Sequence, residues 1–311
     1  MTHPPESRPF RFGLIIDSRD ATRDGVVELA RQAEGSGISV ILGTDHLGRW
    51  ATLPLLQSVA EATGLRIGNF VLNNDLRHPA VLAQELTTID AITSGRLEIG
   101  LGAGWNRQEY EAAGLTFDRP GVRLRRMQTS LRLLRRAMAE GRMEHAGDDD
   151  YPAMDQQGLP RSVQRPHPPF MVGGGGPRLL AFAAREADIV GLDPRSLPQG
   201  GTDPSDISEA AIHRKIRWIR EAAGDRWPEL EINIALFEAG PRRGGPGEPS
   251  DTPGALSAEE LRRSPHHLLG DTGQMIETLL ARRERWGISY IALRPRHLEV
   301  MTPVLGRLAG T

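Results

Sequence analysis

Short apolar runs alternate with amphipathic stretches along the whole chain. The first run, Phe12–Ile16, closes at Asp17-Ser18. After it Val26, Leu29, Ala30 and Ala33 recur at the i, i+3, i+4, i+7 spacing of one helix face. Further runs lie at Ile38–Leu42, Arg66–Leu72, Leu97–Leu101, Phe170–Val172, Ala187–Leu192, Leu230–Glu238 and Ile288–Leu293. Helical patterns follow them: Leu53–Thr63, a segment opened by Pro79 and stopped by Ser94-Gly95, Arg119–Glu140, a segment opened by Pro177, Ile207–Ala223, one capped by Asp271 with Gln274, and a short terminal one. Short apolar runs separated by helices are buried parallel strands. Eight such units predict a (β/α)8 TIM barrel, with an open doubly wound sheet as the competing architecture. Polar, Gly- and Pro-rich segments at 141–168, 194–206 and 239–263 read as insertions after strands 4, 6 and 7, with little regular structure. Residues 1–311 read as a single domain.

Composition removes several functions. The formal net charge of −2 offers no field for nucleic acid or an anionic membrane. There is no cysteine, hence no disulfide, thiol nucleophile or thiolate metal site. Met1–Phe10 holds no apolar run and no stretch is long enough to span a bilayer, so the expected location is cytoplasmic. Lys215 is the only lysine and falls on the helix after the sixth strand, which leaves a Schiff-base mechanism no residue inside the barrel. Metal-ligand spacing and a G-x-S-x-G elbow are also missing.

In a barrel of this kind the active site lies at the carboxyl ends of the strands. That shortlists Asp17, Asp45, His46, Asn73, Trp105, Asn106, Gly173–Gly176, Asp193 and Arg294. His46, directly after strand two, can exchange a proton near neutral pH or simply bond a neighbouring loop. Gly173–Gly176 followed by Pro177 is either a flexible turn or a place where bare backbone N–H groups at a helix start meet a phosphate. Small residues at 102–104 leave space above the barrel mouth, where Trp105 can wall a flat ring or pack under a loop. Arg119 and Arg123 begin an arginine-rich helix that reads as a solvated face or as a contact for an anionic tail.

The segment GTDHLGRW, from Gly43, resembles the aspartate–histidine strand end of the luciferase-like flavin and deazaflavin oxidoreductases. The run LRIGNFVLNNDLRHPAVLAQELTTIDAITSGRLEIGLGAGWNRQEY, from Leu65, looks like that class without a break. QRPHPPFMVGGGGPRLLAFAAREADIVGL and LLGDTGQMIETL agree in the same order, and the similarity is greatest to the coenzyme F420-dependent branch. The resemblance implies a luciferase-like barrel with an insertion after strand four and a cis peptide between Phe70 and Val71. It implies cofactor contacts at Asp45, His46, Phe70, Val71, Asn73 and the Gly104–Trp105–Asn106 corner, and phosphate contacts at Gly174, Gly175 and Gly176. The expected reaction is hydride transfer between F420 and a small organic substrate, with His46 as catalytic residue, no metal, and a homodimeric enzyme. An FMN-dependent monooxygenase and a non-catalytic cofactor-binding protein remain as alternatives. Some sugar-phosphate dehydrogenases of this class carry a glutamate where Trp105 stands and lysines for the substrate phosphate, so a phosphosugar substrate is not expected here.

Overall fold

A computed structural model describes residues 8–18, 22–197, 202–241 and 256–311. Eight parallel strands close into a ring: β1 Arg11–Ile16, β2 Val40–Gly43, β3 Arg66–Asn69, β4 Leu97–Gly102, β5 Phe170–Gly174, β6 Ile189–Leu192, β7 Glu231–Ala235 and β8 Ile288–Leu293. Consecutive strands pair throughout. β1 also pairs with β8, Arg11 opposite Tyr290, and this contact closes the cylinder. The helices are α1 Arg23–Gly35, α2 Thr52–Ala62, α3 Pro79–Ile92, α4 Arg107–Ala112, α5 Pro120–Glu140, α6 Pro177–Glu186, α7 Glu209–Ala223, α8 Ala258–Arg263, α9 Thr272–Trp286 and α10 Leu298–Leu308. None of the described helices is long and apolar enough to cross a membrane.

Period-two alternation sorts the strand residues into two cores. Phe12, Leu14 and Ile16 join the helix faces in the outer core. Val40, Leu42, Met171, Ile189, Ala235, Tyr290 and Ala292 fill the lumen, with Ile15, Phe70 and Val71 packed against them. The amino end of the lumen is closed by charge. Arg11 binds Glu98 at 2.6 Å and Glu231 at 2.7 Å, and Arg66 binds Glu98 at 2.7 Å. Arg11 also lies 4.3 Å over the Tyr290 ring.

β3 breaks where the resemblance placed a bulge. The Phe70–Val71 peptide is cis, and Leu72–Asn73 then resumes pairing with β4. The bulge leaves no room on β4. A Cβ at Gly100 would stand 1.9 Å from the Asn69 carbonyl oxygen, and one at Gly102 2.5 Å from Val71 Cγ2.

Three expectations need correction. The 141–168 insertion is not structureless: Arg142–His145 and Met154–Gln157 form an antiparallel hairpin. Its outer positions are charged or polar and its apolar alternation is too short to register as strand. β7 ends at Ala235; Glu238–Gly240 is a separate strand paired in parallel with His267–Leu269 outside the barrel. The 239–263 segment contains α8, and its residues 242–255, like 198–201 of the 194–206 insertion, lie outside the described residues.

Candidate active site

At the end of β2 the chain turns at once, because a Cβ at Gly43 would fall 2.3 Å from Thr52 Oγ1 and α2 packs directly on the strand. The turn presents Thr44, Asp45 and His46. Asp45 is buried, and its carboxylate accepts two hydrogen bonds from the Arg77 guanidinium, at 2.8 and 3.0 Å, and one from the Asn73 N–H at 3.0 Å. A bidentate arginine plus a backbone donor engages both oxygens of that carboxylate. Asp45 therefore ties the β2 loop to the segment after β3.

Asn73 is held in turn. Its Oδ1 accepts from the Tyr110 hydroxyl at 2.9 Å and from the Asp75 N–H at 3.1 Å. Burial, reinforced by the Asp75 charge, pushes the Tyr110 hydroxyl well up, so it stays a donor. Gly104 turns with φ +73° directly against this pair; a Cβ there would lie 2.1 Å from the Tyr110 oxygen and 2.6 Å from Asn73 Oδ1. Arg123 donates to the carbonyls of Ala103 and Gly104 at 3.2 and 3.3 Å and lies 3.9 Å over the Phe117 ring. It braces the Gly104 corner from behind, so its guanidinium is committed within the protein rather than offered to a ligand tail.

His46 Nδ1 lies 2.7 Å from Glu109 Oε1, and the Asn106 amide donates to the same oxygen at 2.7 Å. The oxygen is an acceptor, so Nδ1 carries a proton, and in the neutral form of the ring that leaves Nε2 as an acceptor. Trp105 meets His46 edge to face, with ring centroids 6.1 Å apart. Trp105 is 50% exposed beside this histidine, and Trp50 and Leu47 of the loop that carries His46 are 48% and 40% exposed.

On the far side of the mouth β5 runs into four glycines. A Cβ at Gly174 would strike Leu179 at 2.3 Å, and one at Gly175 would stand 2.4 Å from the Arg195 nitrogen. At Gly175, where the obstacle is main chain, only bare backbone fits, whereas Gly176 has open space beside it. Gly176 caps α6 without a side-chain bond to its first turn, and Pro177 is the first helical residue. Asp45, His46, Asn73, Gly104, Trp105 and Asn106 thus gather over β2–β4, Phe70 and Val71 lie at the bulge between them, and Gly174–Gly176 stand over β5. Glu109, Tyr110 and Arg77 were not singled out from the sequence. The Asn106-x-x-Glu109 spacing of a helix start was the available signal for the first.

Residues 9–220 match the luciferase-like monooxygenase family. The chain belongs to that family. Within this luciferase-like family it is 29% identical over 191 residues to an F420-dependent glucose-6-phosphate dehydrogenase of Kineococcus radiotolerans, covering 58% of this chain and 56% of that enzyme. It is 32% identical over 110 residues to an FMNH2-dependent dimethylsulfone monooxygenase of Pseudomonas putida, covering 35% of this chain and 30% of that one. The chain thus spans about half or less of the length of these curated relatives. The solved coenzyme F420 dependent tetrahydromethanopterin reductase of Methanopyrus kandleri superposes with a TM-score of 0.75 at 17% identity, over 96% of this chain and 99% of that one. The luciferase-like barrel is accordingly shared in full with that structure.

Proposed function

We propose that this protein is an oxidoreductase that binds coenzyme F420 across the barrel mouth and exchanges a hydride with a small organic substrate. The observation that carries the reading is the opposed pair of features at the mouth: the His46–Glu109 pair on one side and a glycine run, closed to any side chain at Gly175, on the other. F420-dependent relatives within the same family support it.

The chain's own residues fit such a cofactor. The exposed start of α6 and the bare amides of Gly174–Gly176 suit an anionic tail. The bulge at Phe70–Val71 and the faces of Ile15 and Val71 offer an apolar seat for a flat ring. When bound, a deazaflavin supplies two-electron hydride chemistry at a ring carbon. His46 Nε2 would take or return the proton that accompanies the hydride, with Glu109 fixing its orientation. Asp45 and Asn73 would act by positioning, since their side chains are bonded within the protein. Leu47, Trp50 and Trp105 would shield the reacting atoms and favour an apolar substrate face. Cations that would hold a sugar phosphate are committed elsewhere: Lys215 is buried on Asp206, Arg77 is on Asp45 and Arg195 is on Asp203.

The test is a fluorescence titration with F420 and with FMN on wild type and on His46→Ala. Wild type should take F420 at least about tenfold more tightly than FMN. In the variant, hydride transfer should fall about 100-fold, as loss of a general acid–base group does. Tight FMN binding without F420 binding would replace this reading with the monooxygenase one.

A further inference from the structure

Across the mouth from His46 stands a carboxyl group without a hydrogen-bond partner among the described residues. Asp193 directly follows β6, four strands round the ring from β2, which carries His46. Its side chain lies toward the glycines of β5, with Oδ2 3.0 Å from where a Cβ on Gly173 would stand. Gly173 is in register with Gly191 of β6, and Gly191 with Asn233 of β7. The two glycine backbones lie close together: a Cβ on Gly191 would stand 3.1 Å from Gly173 Cα and 3.8 Å from Asn233 Oδ1. Asn233, fully buried beside them, has neither amide atom hydrogen-bonded. Buried polar groups are normally paired, so this lining is built for a polar guest.

The backbone beneath Asp193 is clamped. Lys215 Nζ donates to the Asp193 carbonyl at 2.7 Å and to the Asp206 carbonyl at 3.0 Å, and pairs with Asp206 Oδ2 at 2.9 Å. The same Oδ2 accepts from the Arg195 N–H at 2.9 Å. The single lysine therefore fixes the main chain and leaves the Asp193 carboxyl free. Asp193 retains some open surface, yet the packing around it is dense; burial pushes its carboxyl up, against the pull of Lys215. The charge acting on it is that of Lys215 from α7; Asp206 of the 204–207 turn holds that lysine and also pairs with Arg195 and Arg214. From β5 and β7 come Gly173, Asn233 and Ala235, all uncharged.

We propose that Asp193, with the Asn233 amide beneath it, selects the substrate: it accepts a hydrogen bond from a donor end, an ammonium or hydroxyl group, and turns anionic molecules away. This rests on the reading of the mouth as an active site. A crowded carboxylate gains a partner when a donor arrives, whereas a phosphate there meets like charge. The substrate then has a donor end at β6 and an apolar body toward Trp105 beside His46.

Three probes share one aromatic body and differ only in the head: benzylamine, benzyl alcohol and benzyl phosphate. Binding to the full chain is followed by tryptophan fluorescence, with and without F420. Benzylamine should bind about ten- to a hundredfold more tightly than benzyl phosphate, as expected for one charge-assisted hydrogen bond, with the alcohol between them. Asp193→Asn should erase the amine's advantage, and Asp193→Lys should reverse the order. Benzylamine affinity should fall on acidification in wild type and not in Asp193→Asn. The proposal is overturned if the phosphate binds wild type as well as the amine, if the preference survives Asp193→Asn, or if no probe binds. F420 uptake is read separately, so a chain that ignores F420 yet ranks the probes as stated loses the cofactor reading and keeps this one.

Discussion

Glu109 converts a loop histidine into an oriented one. Its Oε1 gathers both His46 Nδ1 and the Asn106 amide at 2.7 Å, which fixes the ring and its tautomer together. Glu109→Gln keeps a hydrogen-bonding group but loses the charge and allows the opposite tautomer. It should slow the proposed hydride exchange with F420 about tenfold, and Glu109→Ala about 100-fold, with F420 affinity changed little; stopped-flow absorbance separates the two effects. Unchanged rates in both variants would remove Glu109 from the chemistry. Residues of this site were legible to different degrees. His46, Trp105 and the glycines announce themselves by type and by their place at strand ends. Glu109 did not, because α4 has only six residues and no apolar period to mark it as helix. Nor can any sequence pattern say that Asp45 is already occupied by Arg77, thirty-two positions away.

At the scale of elements, the connection from β7 to α9 carries the clearest pH dependence. The chain leaves the barrel at Ala235, and Phe237 stacks on His266 with centroids 4.6 Å apart. His266 Nδ1 donates to the Ala235 carbonyl, and burial holds this histidine down at about 3. Burial, with Arg282 nearby, holds His267 down at about 4. Both are neutral when folded and take protons near their ordinary value when unfolded. Their contribution is complete above about pH 6.5 and is lost as pH falls toward these folded values, at about 1.4 kcal/mol per pH unit for each histidine. Urea denaturation midpoints should therefore drop between pH 6.5 and pH 5, and His266→Gln should reduce the slope. A flat profile in both proteins would contradict this. The sequence located the seventh strand but overran its end, since Leu236 and Phe237 continue the apolar run. What stops the strand is the tertiary partner His266, not a local breaker. The hairpin in the insertion escaped for the converse reason, its strands being mostly polar.

For the whole molecule, ring closure is the property least visible in sequence. The eight-unit alternation admits both a barrel and an open sheet, and the choice is made by the pairing of β1 with β8 across nearly the full chain. The charged floor reinforces that choice, because Arg11, Arg66, Glu98 and Glu231 bind β1, β3, β4 and β7 together. Glu98 is buried and serves two arginines, so Glu98→Ala leaves both without their shared partner. The loss should be about 3–5 kcal/mol, measured by chemical denaturation; a loss below about 1 kcal/mol would mean the floor does not contribute to closure. At the opposite end, Lys215 carries the only ε-amine in the sequence, and no solvent reaches it. An acylating reagent consequently has no lysine to modify while the β6 corner stays shut, and the appearance of a single ε-acyl label would clock how often that corner breathes.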